Sequence, residues 1–441
     1  YFESYNGNGN DDIYLDNITL TKTLQTNPDK TIASLKDTYK DVFPIVGVGA
    51  GIASILGKNG SEFISQQYNA VTPGNEMKPD AILGSTIGKL VKPTDEVSAD
   101  KTDFITVEDA KSMGYIIPDN YTSYDDNRFK SATGEYAVPR LNFDNVDKLM
   151  KAAHENGVKL RGHTLVWHQQ TPKYFFQQNY KITTGQKYNT SKECMDTRLE
   201  FYVKTVMNHV LSSEYADCLY SYDVVNEYLH SANAEKDSKN ITYWGLIYGT
   251  YDKSVKDHGV TLRPSYVKDA FKYAHEMLVK YDRLDVKLIY NDYNCYQNPE
   301  NIIHLVDYIN SDGKVCDGIG MQSHLDITDS FHSATNYAKA LEYFRLNCPD
   351  LEIQITELDA TMVSTEDKPL TDEDQAAYYD QIMNAILTNK KNGGNITALI
   401  IWSLYDGVSW RPAKFPCLFN GLYMPKAAFY AVIDAKKQYW D

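Results

Sequence analysis

Two glutamates stand out by where they fall. Glu227 closes the run Leu219-Tyr220-Ser221-Tyr222-Asp223-Val224-Val225-Asn226-Glu227, and Glu357 falls in Ile353-Gln354-Ile355-Thr356-Glu357-Leu358-Asp359. Each run reads as a buried strand that ends in carboxylate or amide residues where it should emerge. Cleaving a glycosidic bond needs a proton for the leaving oxygen and a group to meet the developing oxocarbenium ion, and two carboxyl groups on one rim supply both. A separation of about 5–5.5 Å would mark a retaining pair. Glu227 is expected to be the general acid/base and Glu357 the nucleophile. Glu227 then needs a raised pKa before the first step. A charged Glu357 beside it would supply that, and the effect would vanish once Glu357 is glycosylated. Spacing alone leaves open that one of the two is a structural rim carboxylate.

Such side chains need a scaffold that brings distant strands to one mouth. Apolar strands are expected at 44–49, 70–75, 159–168, 219–227, 286–294, 317–325, 351–359 and 396–406, with 3.6-period segments at 62–68, 143–156, 192–212, 265–281, 299–311, 336–346, 372–388 and 427–437. Eight strands each followed by a helix is an α/β pattern, the (β/α)8 TIM barrel, whose function lies at the strands' C-terminal ends. Glu227 and Glu357 end the fourth and seventh strands and can face each other across the mouth. Two stretches break the rhythm. Residues 81–140, rich in Asp, Ser, Thr and Tyr, form a large insertion after strand 2, expected to be partly ordered on the barrel rim. Residues 228–263 form a long loop directly after Glu227, either a cleft wall or plain loop elongation.

The N-terminus reads differently. Residues 1–23 form a short β-rich extension that is similar to the closing strand of a β-sandwich carbohydrate-binding module, so the division expected is 1–23 as the partial end of that module and 24–441 as the catalytic barrel. The oxygen-rich Asn6-Gly7-Asn8-Gly9-Asn10-Asp11-Asp12 lacks the spacing and terminal Glu of a calcium loop and reads as a solvated turn. The chain opens on Tyr1 without Met, so its start is expected to be missing, and the absence of a leader says nothing about export.

Composition narrows the partners. A formal net charge of −15 argues against nucleic acid and anionic membrane surfaces, while a neutral polymer remains open. The longest apolar runs are too short to span a bilayer. The six cysteines lack CxxC spacing, so no metal site is expected; most read as free buried thiols, with one or two disulfides open if the protein is secreted. No cofactor is implied, because the chemistry needs only water and two carboxylates. Gly47-Val48-Gly49-Ala50-Gly51-Ile52 imitates a dinucleotide fingerprint but has Ile52 where the last glycine must stand. Close packing of the first strand is the better reading.

In order along the chain come Gly74-Asn75-Glu76-Met77-Lys78, Arg161-Gly162-His163-Thr164-Leu165-Val166-Trp167-His168-Gln169-Gln170, Asp223-Val224-Val225-Asn226-Glu227, Asn291-Asp292-Tyr293-Asn294, Gly320-Met321-Gln322-Ser323-His324, Ile355-Thr356-Glu357-Leu358-Asp359 and Ser409-Trp410-Arg411. From about residue 30 onward the chain resembles the glycoside hydrolase family 10 endo-β-1,4-xylanases. The resemblance implies that Glu227 is the acid/base and Glu357 the nucleophile of a retaining hydrolysis of internal xylan bonds. It implies that Asn226 bonds the sugar 2-hydroxyl and that His324 and Asp359 support Glu357. Asn75, Lys78, His163, Trp167 and Gln170 would line the subsites of the non-reducing end. Tyr293 and Gln322 would face the reacting sugar, and Trp402 and Trp410 would shape floor and rim with flat indole faces. Three departures stand out. Gly74 replaces the family's usual Glu, which removes a sugar-hydroxyl acceptor; Tyr222 stands where Trp is common; Ser403 replaces a Gly.

Two other readings are kept. One is a retaining β-glycanase acting on glucan or mannan, which bulky Trp402 and Trp410 closing around C5 would disfavour. The other is a non-catalytic polysaccharide-binding barrel, which should lack a carboxylate or His324. Polymeric xylan cannot enter a cell, so a secreted, cell-surface or periplasmic location is expected, with xylan or xylo-oligosaccharides as partner and a monomer as the working form.

Overall fold

The computed structural model describes residues 28–84, 104–121, 137–177, 180, 189–231, 242–363, 369–421 and 423–441. Eight parallel strands form the barrel: β1 (Ile45–Ala50), β2 (Ala70–Pro73), β3 (Lys159–Trp167), β4 (Leu219–Asn226), β5 (Lys287–Asp292), β6 (Gly318–Met321), β7 (Glu352–Thr361) and β8 (Ile396–Trp402). They are hydrogen-bonded in chain order, and β1 pairs with both β2 and β8, which closes the ring. Helices α1 (Lys58–Gln67), α2 (Asp144–Glu155), α3 (Lys192–Ser212), α4 (Ser265–Lys280), α5 (Pro299–Ile309), α6 (Ala334–Asn347), α7 (Asp372–Lys391) and α8 (Ala427–Ala435) follow the strands in turn. The expected alternation is therefore the observed one.

Local chemistry explains the boundaries. Thr371 and Asp374 form a reciprocal capping box at the start of α7, whose first turn carries Asp372, Glu373 and Asp374 and whose last carries Lys390 and Lys391. Ser191 and Ser333 cap α3 and α6 through their side chains. In α2 the buried Val146, Leu149, Met150 and Ala153 recur at helical spacing and turn one stripe to the sheet. The strands are buried on both faces, as a helix-covered parallel sheet requires. Gly49 has a packing role: a Cβ there would come within 2.4 Å of the Trp402 ring. The glycine-rich first strand thus makes room for an indole at the barrel mouth.

Three expectations need correction. The strand expected at 317–325 is broken into β6 and a separate short piece, His324–Asp326, because Ser323 turns at φ 66°. Both pieces pair with β7, at Ile355↔Met321 and then Asp359↔His324, so three residues of β7 stand against two of the neighbour. The bulge falls at residues 356–358 and re-aims the Glu357 side chain. Glu357 is therefore inside β7, which runs on to Thr361, rather than at its end.

Of the two readings left open for the loop at 228–263, its described part, 228–231 and 242–263, does not fit the cleft wall. Its described part contains the helix Tyr243–Tyr248, and Trp244 Nε1 donates to the Trp167 backbone oxygen at 3.1 Å, so it buttresses β3 from outside the cavity. The insertion at 81–140 is described at 81–84, 104–121 and 137–140. There, Phe104–Thr106 pairs antiparallel with Ala137–Pro139. Ile116 N donates to Thr205 Oγ1 at 3.0 Å, Tyr121 packs edge-on against Phe201, and none of the described insertion between 104 and 140 lines the cavity. The described part, 104–121, covers the flank of α3 and not the rim. The expected module end at 1–23, with its oxygen-rich turn, lies outside the described residues. The six cysteines are free, five of them buried. Among the described residues no helix is long and apolar enough to cross a membrane.

Candidate active site

A cavity of about 670 Å³ opens at the C-terminal ends of the strands. One wall comes from the loops after β1 and β2, with Gly74, Asn75 and Lys78; the opposite wall comes from those after β5 and β6, with Tyr293, Asn294 and His332. Between them stand the two glutamates.

Glu227 follows directly on β4 with φ 58°, a left-handed conformation that a non-glycine residue holds only where its surroundings enforce it. Its N–H donates to the Asn291 oxygen at 2.8 Å, which anchors that backbone to β5. The carboxyl is buried. Trp167 Nε1 donates to Oε2 at 2.8 Å and Gln322 Nε2 to Oε1 at 2.9 Å. Burial pushes the carboxyl's pKa up; the Gln322 and Trp167 bonds oppose this, and the charges of Asp292 and then Glu357 reinforce it. The raised pKa was expected, but its cause differs: burial leads, and Glu357 contributes less than Asp292.

The Glu357 pKa is pushed the opposite way. Asn291 Nδ2 donates to Oε1 at 2.8 Å, and His324 Nε2 lies 3.0 Å from Oε2. Burial would raise this carboxyl, but the His324 bond, the charges of His163 and His324 and the Asn291 bond outweigh it and hold it down at about 2. Nδ1 of His324 meets Asp359 Oδ1 at 2.9 Å, and Asp359 Oδ2 accepts from Trp410 Nε1 at 2.8 Å. Burial lowers the His324 pKa, but Asp359 and Glu357 on either side raise it to about 10, so the ring is an imidazolium that donates to both. A carboxyl whose pKa is raised thus shares one cavity with a carboxylate whose pKa is held low. That arrangement can deliver a proton on one side of a bond while offering a negative oxygen on the other.

The remaining expected residues gather around this pair. Asn226 Oδ1 accepts from Asn291 at 2.8 Å and from Gln322 at 3.2 Å, which leaves its amide N–H2 as the end it offers to the cavity. Lys78 Nζ donates to Asn75 Oδ1 at 3.2 Å and sits 4.9 Å from the Trp167 ring centroid; burial lowers its pKa, while Glu357 and Glu227 partly restore it. Gln170 reaches Asn75 Oδ1 at 3.3 Å. His163 is fixed by Asp223 Oδ2 at 2.9 Å and turns its edge to Trp402. Tyr293 lies stacked on His230, 3.8 Å between ring centroids. Trp402 lines the cavity nearly buried, whereas Trp410 is half exposed on the rim. Of the expected set, only Asp359 stays behind the wall, touching the cavity through His324 and Trp410.

The family model described as Glycosyl hydrolase family 10 matches residues 34–435. The chain belongs to glycosyl hydrolase family 10. It is 40% identical over 373 residues to endo-1,4-beta-xylanase A of Butyrivibrio fibrisolvens, covering 84% of this chain and 77% of that one. It is 28% identical to endo-1,4-beta-xylanase A of Thermotoga maritima over 98% of this chain but only 34% of that protein's length. Among solved structures, the Clostridium thermocellum endo-1,4-beta-D-xylanase 10B CBM22-1-GH10 modules complexed with xylohexaose share the fold at a TM-score of 0.66 and 26% identity, covering 92% of this chain and 67% of that one. The intracellular xylanase of Thermoanaerobacterium saccharolyticum matches at a TM-score of 0.64 and 25% identity, over 92% and 99% of the two chains.

Some residues of this family 10 site were named in sequence motifs but given no role, or escaped notice. Asn291 is the largest omission. Its single amide group bonds both Asn226 and Glu357, and its oxygen accepts from Thr356 Oγ1 at 2.7 Å. Its position at the end of β5 was the available signal. Arg161, wholly buried, grips Asp223 from behind His163. His230 carried no sequence signal, because its role depends on Asp292, 62 positions away. Among the described residues no group of His, Cys, Asp or Glu is arranged to hold a metal ion.

Proposed function

We propose that this family 10 barrel is an endo-1,4-β-xylanase that hydrolyses internal β-1,4 bonds of xylan with retention of configuration. The carrying observation is the pair of glutamates in one cavity whose pKa values are pushed in opposite directions. Glu227 protonates the leaving oxygen, and Glu357 attacks the anomeric carbon to form a glycosyl-enzyme. Water, deprotonated by Glu227, then releases the sugar. Asn226 offers its N–H2 to the 2-hydroxyl of the reacting sugar. Asn75, Lys78, His163, Trp167 and Gln170 hold the glycone side, Tyr293 and Gln322 face the reacting ring, and Trp402 and Trp410 close around the pyranose. Relatives named as endo-1,4-beta-xylanases, and one solved with xylohexaose, support the substrate. A monomeric enzyme acting outside the cytoplasm, with residues 1–23 as the end of a carbohydrate-binding module, completes the proposal.

The test compares reducing-sugar release from xylan, carboxymethylcellulose and mannan by the wild type and by Glu357→Ala. Xylan turnover lost by about 10⁴-fold or more in the variant is expected, the order found when a catalytic nucleophile is removed. Turnover of glucan or mannan in place of xylan would keep the mechanism and overturn the substrate. Silence on all three would favour a binding protein.

A further inference from the structure

His230 lies in the turn after β4, three residues beyond Glu227, and its N–H donates to the Glu227 backbone oxygen at 3.2 Å. Its Nδ1 lies 2.7 Å from Oδ1 of Asp292, a fully buried carboxylate at the end of β5. Asp292 also accepts from the Tyr293 N–H at 2.8 Å and from the Tyr290 hydroxyl. Gln322 ties this carboxylate's residue to Glu227: its N–H donates to the Asp292 backbone oxygen at 2.9 Å, and its amide donates to Glu227 Oε1 at 2.9 Å. A buried ion pair therefore stands directly behind the glutamate that must give up a proton.

We propose that His230, through its ion pair with Asp292, sets the pH range over which Glu227 can donate its proton. His230 is a positioning residue here, acting on Glu227 without touching the substrate. This inference rests on Glu227 being the general acid.

The charges around the pair have one consistent sense. Burial lowers the His230 pKa, but Asp292 and Glu227 outweigh it and raise it, so the geometry favours the protonated ring. Two more imidazoles face it. His258 packs edge-on at 5.4 Å between ring centroids, and His168 comes from the end of β3. Burial and the charge of His230 push both down, His168 to about 4 even against the pull of Asp292, so of the three rings His230 is the one whose protonated form the surroundings favour. On the Glu227 side the facing charges are Asp292, Glu357 and Lys78. Asp292 favours the protonated form of Glu227, and a protonated His230 offsets part of that influence. Without His230, Asp292 keeps the Tyr290 and Tyr293 donors and its influence on Glu227 is no longer offset, so Glu227 should hold its proton to higher pH.

The experiment is the pH profile of kcat/KM on xylo-oligosaccharides, whose basic limb reports the acid of the free enzyme. His230→Gln is expected to move that limb up by about half a unit, a shift well inside the range that one nearby charge produces. Asp292→Asn, which keeps the ring stacked on Tyr293, is expected to move it down. A limb that stays put or falls in His230→Gln overturns the inference; a changed KM with an unmoved limb would mean that His230 only supports Tyr293. If His230→Gln does not fold, Asp292→Asn decides alone, and an unmoved limb overturns the idea. Glu227→Gln separates the two levels. Retained activity there sinks the general-acid reading itself, whereas lost activity together with unmoved limbs sinks only the role of His230.

Discussion

The imidazolium of His324 lies 3.0 Å from Oε2 of Glu357 and is held on its other nitrogen by Asp359 at 2.9 Å. This chain of charges has a stability signature with two edges. The Glu357 pKa falls from 4.5 to about 2 on folding, so its contribution is present above the unfolded value and lost as pH drops from about 4.5 toward 2. The His324 pKa rises from 6.5 to about 10, so its contribution is full below 6.5 and fades as pH rises toward 10. Melting curves of the wild type and His324→Gln should therefore differ most near pH 5–6 and converge toward pH 10. A difference that is flat across that range would show that the ring is not charged in the folded state.

Asn291→Ala removes the bonds to both Asn226 and Glu357 and leaves the Thr356 hydroxyl without its acceptor. A hydrogen bond to a charged group is worth about 1.5–3 kcal/mol, so kcat/KM should fall by about 10- to 100-fold. The loss should fall mainly on kcat, because the residue steadies the attacking carboxylate rather than gripping the sugar chain. Steady-state kinetics on xylotetraose would show this; a pure KM effect would contradict it.

Ser403 follows β8 with φ 94°, in the left-handed region where glycine is favoured. The family's glycine at this place has a backbone reason, and serine carries the strain. Relief of strain of about 1–3 kcal/mol is partly offset by the entropy that glycine adds to the unfolded chain. Ser403→Gly should raise stability by about 1 kcal/mol in urea unfolding, with xylan turnover unchanged. Lower stability would mean that the hydroxyl makes a contact worth more than the strain.

The barrel was readable because its signals are local and periodic. Apolar strand runs alternate with amphipathic stretches, and caps such as Thr371 with Asp374 mark where helices begin. Glu227 was readable because it falls where a buried strand emerges, and Glu357 because it is a carboxylate in a run that reads as a buried strand, although that strand continues past it to Thr361. What could not be read are relations that exist only after closure. The bulge that turns Glu357 arises from a register slip against two separate neighbours. Burial raises the Glu227 pKa more than the partner carboxylate does, and burial is a property of the closed cavity. The flank position of residues 104–121 depends on contacts with α3 that no periodicity encodes.

Gly74 offers a gain-of-function test of the cleft. A Cβ at this position would meet only the Ala50 carbonyl and Gly51 N at 3.9–4.0 Å, which is ordinary contact, so a longer side chain fits without moving the backbone. Gly74 lines the same wall as Asn75 and Lys78, whose amide and ammonium are already paired at 3.2 Å and present polar atoms to a bound sugar. Gly74→Glu would add a carboxylate acceptor on that wall. One hydrogen bond from a sugar hydroxyl to a charged acceptor should lower KM for xylotriose or xylotetraose by about tenfold and leave kcat nearly unchanged, since the new contact is made equally in ground and transition states. For substrates too short to reach that wall, the effect should vanish. A KM that does not respond for the longer substrates would mean that the sugar passes Gly74 out of reach, and that the glycone end is gripped by Asn75, Lys78 and the Trp167 face alone.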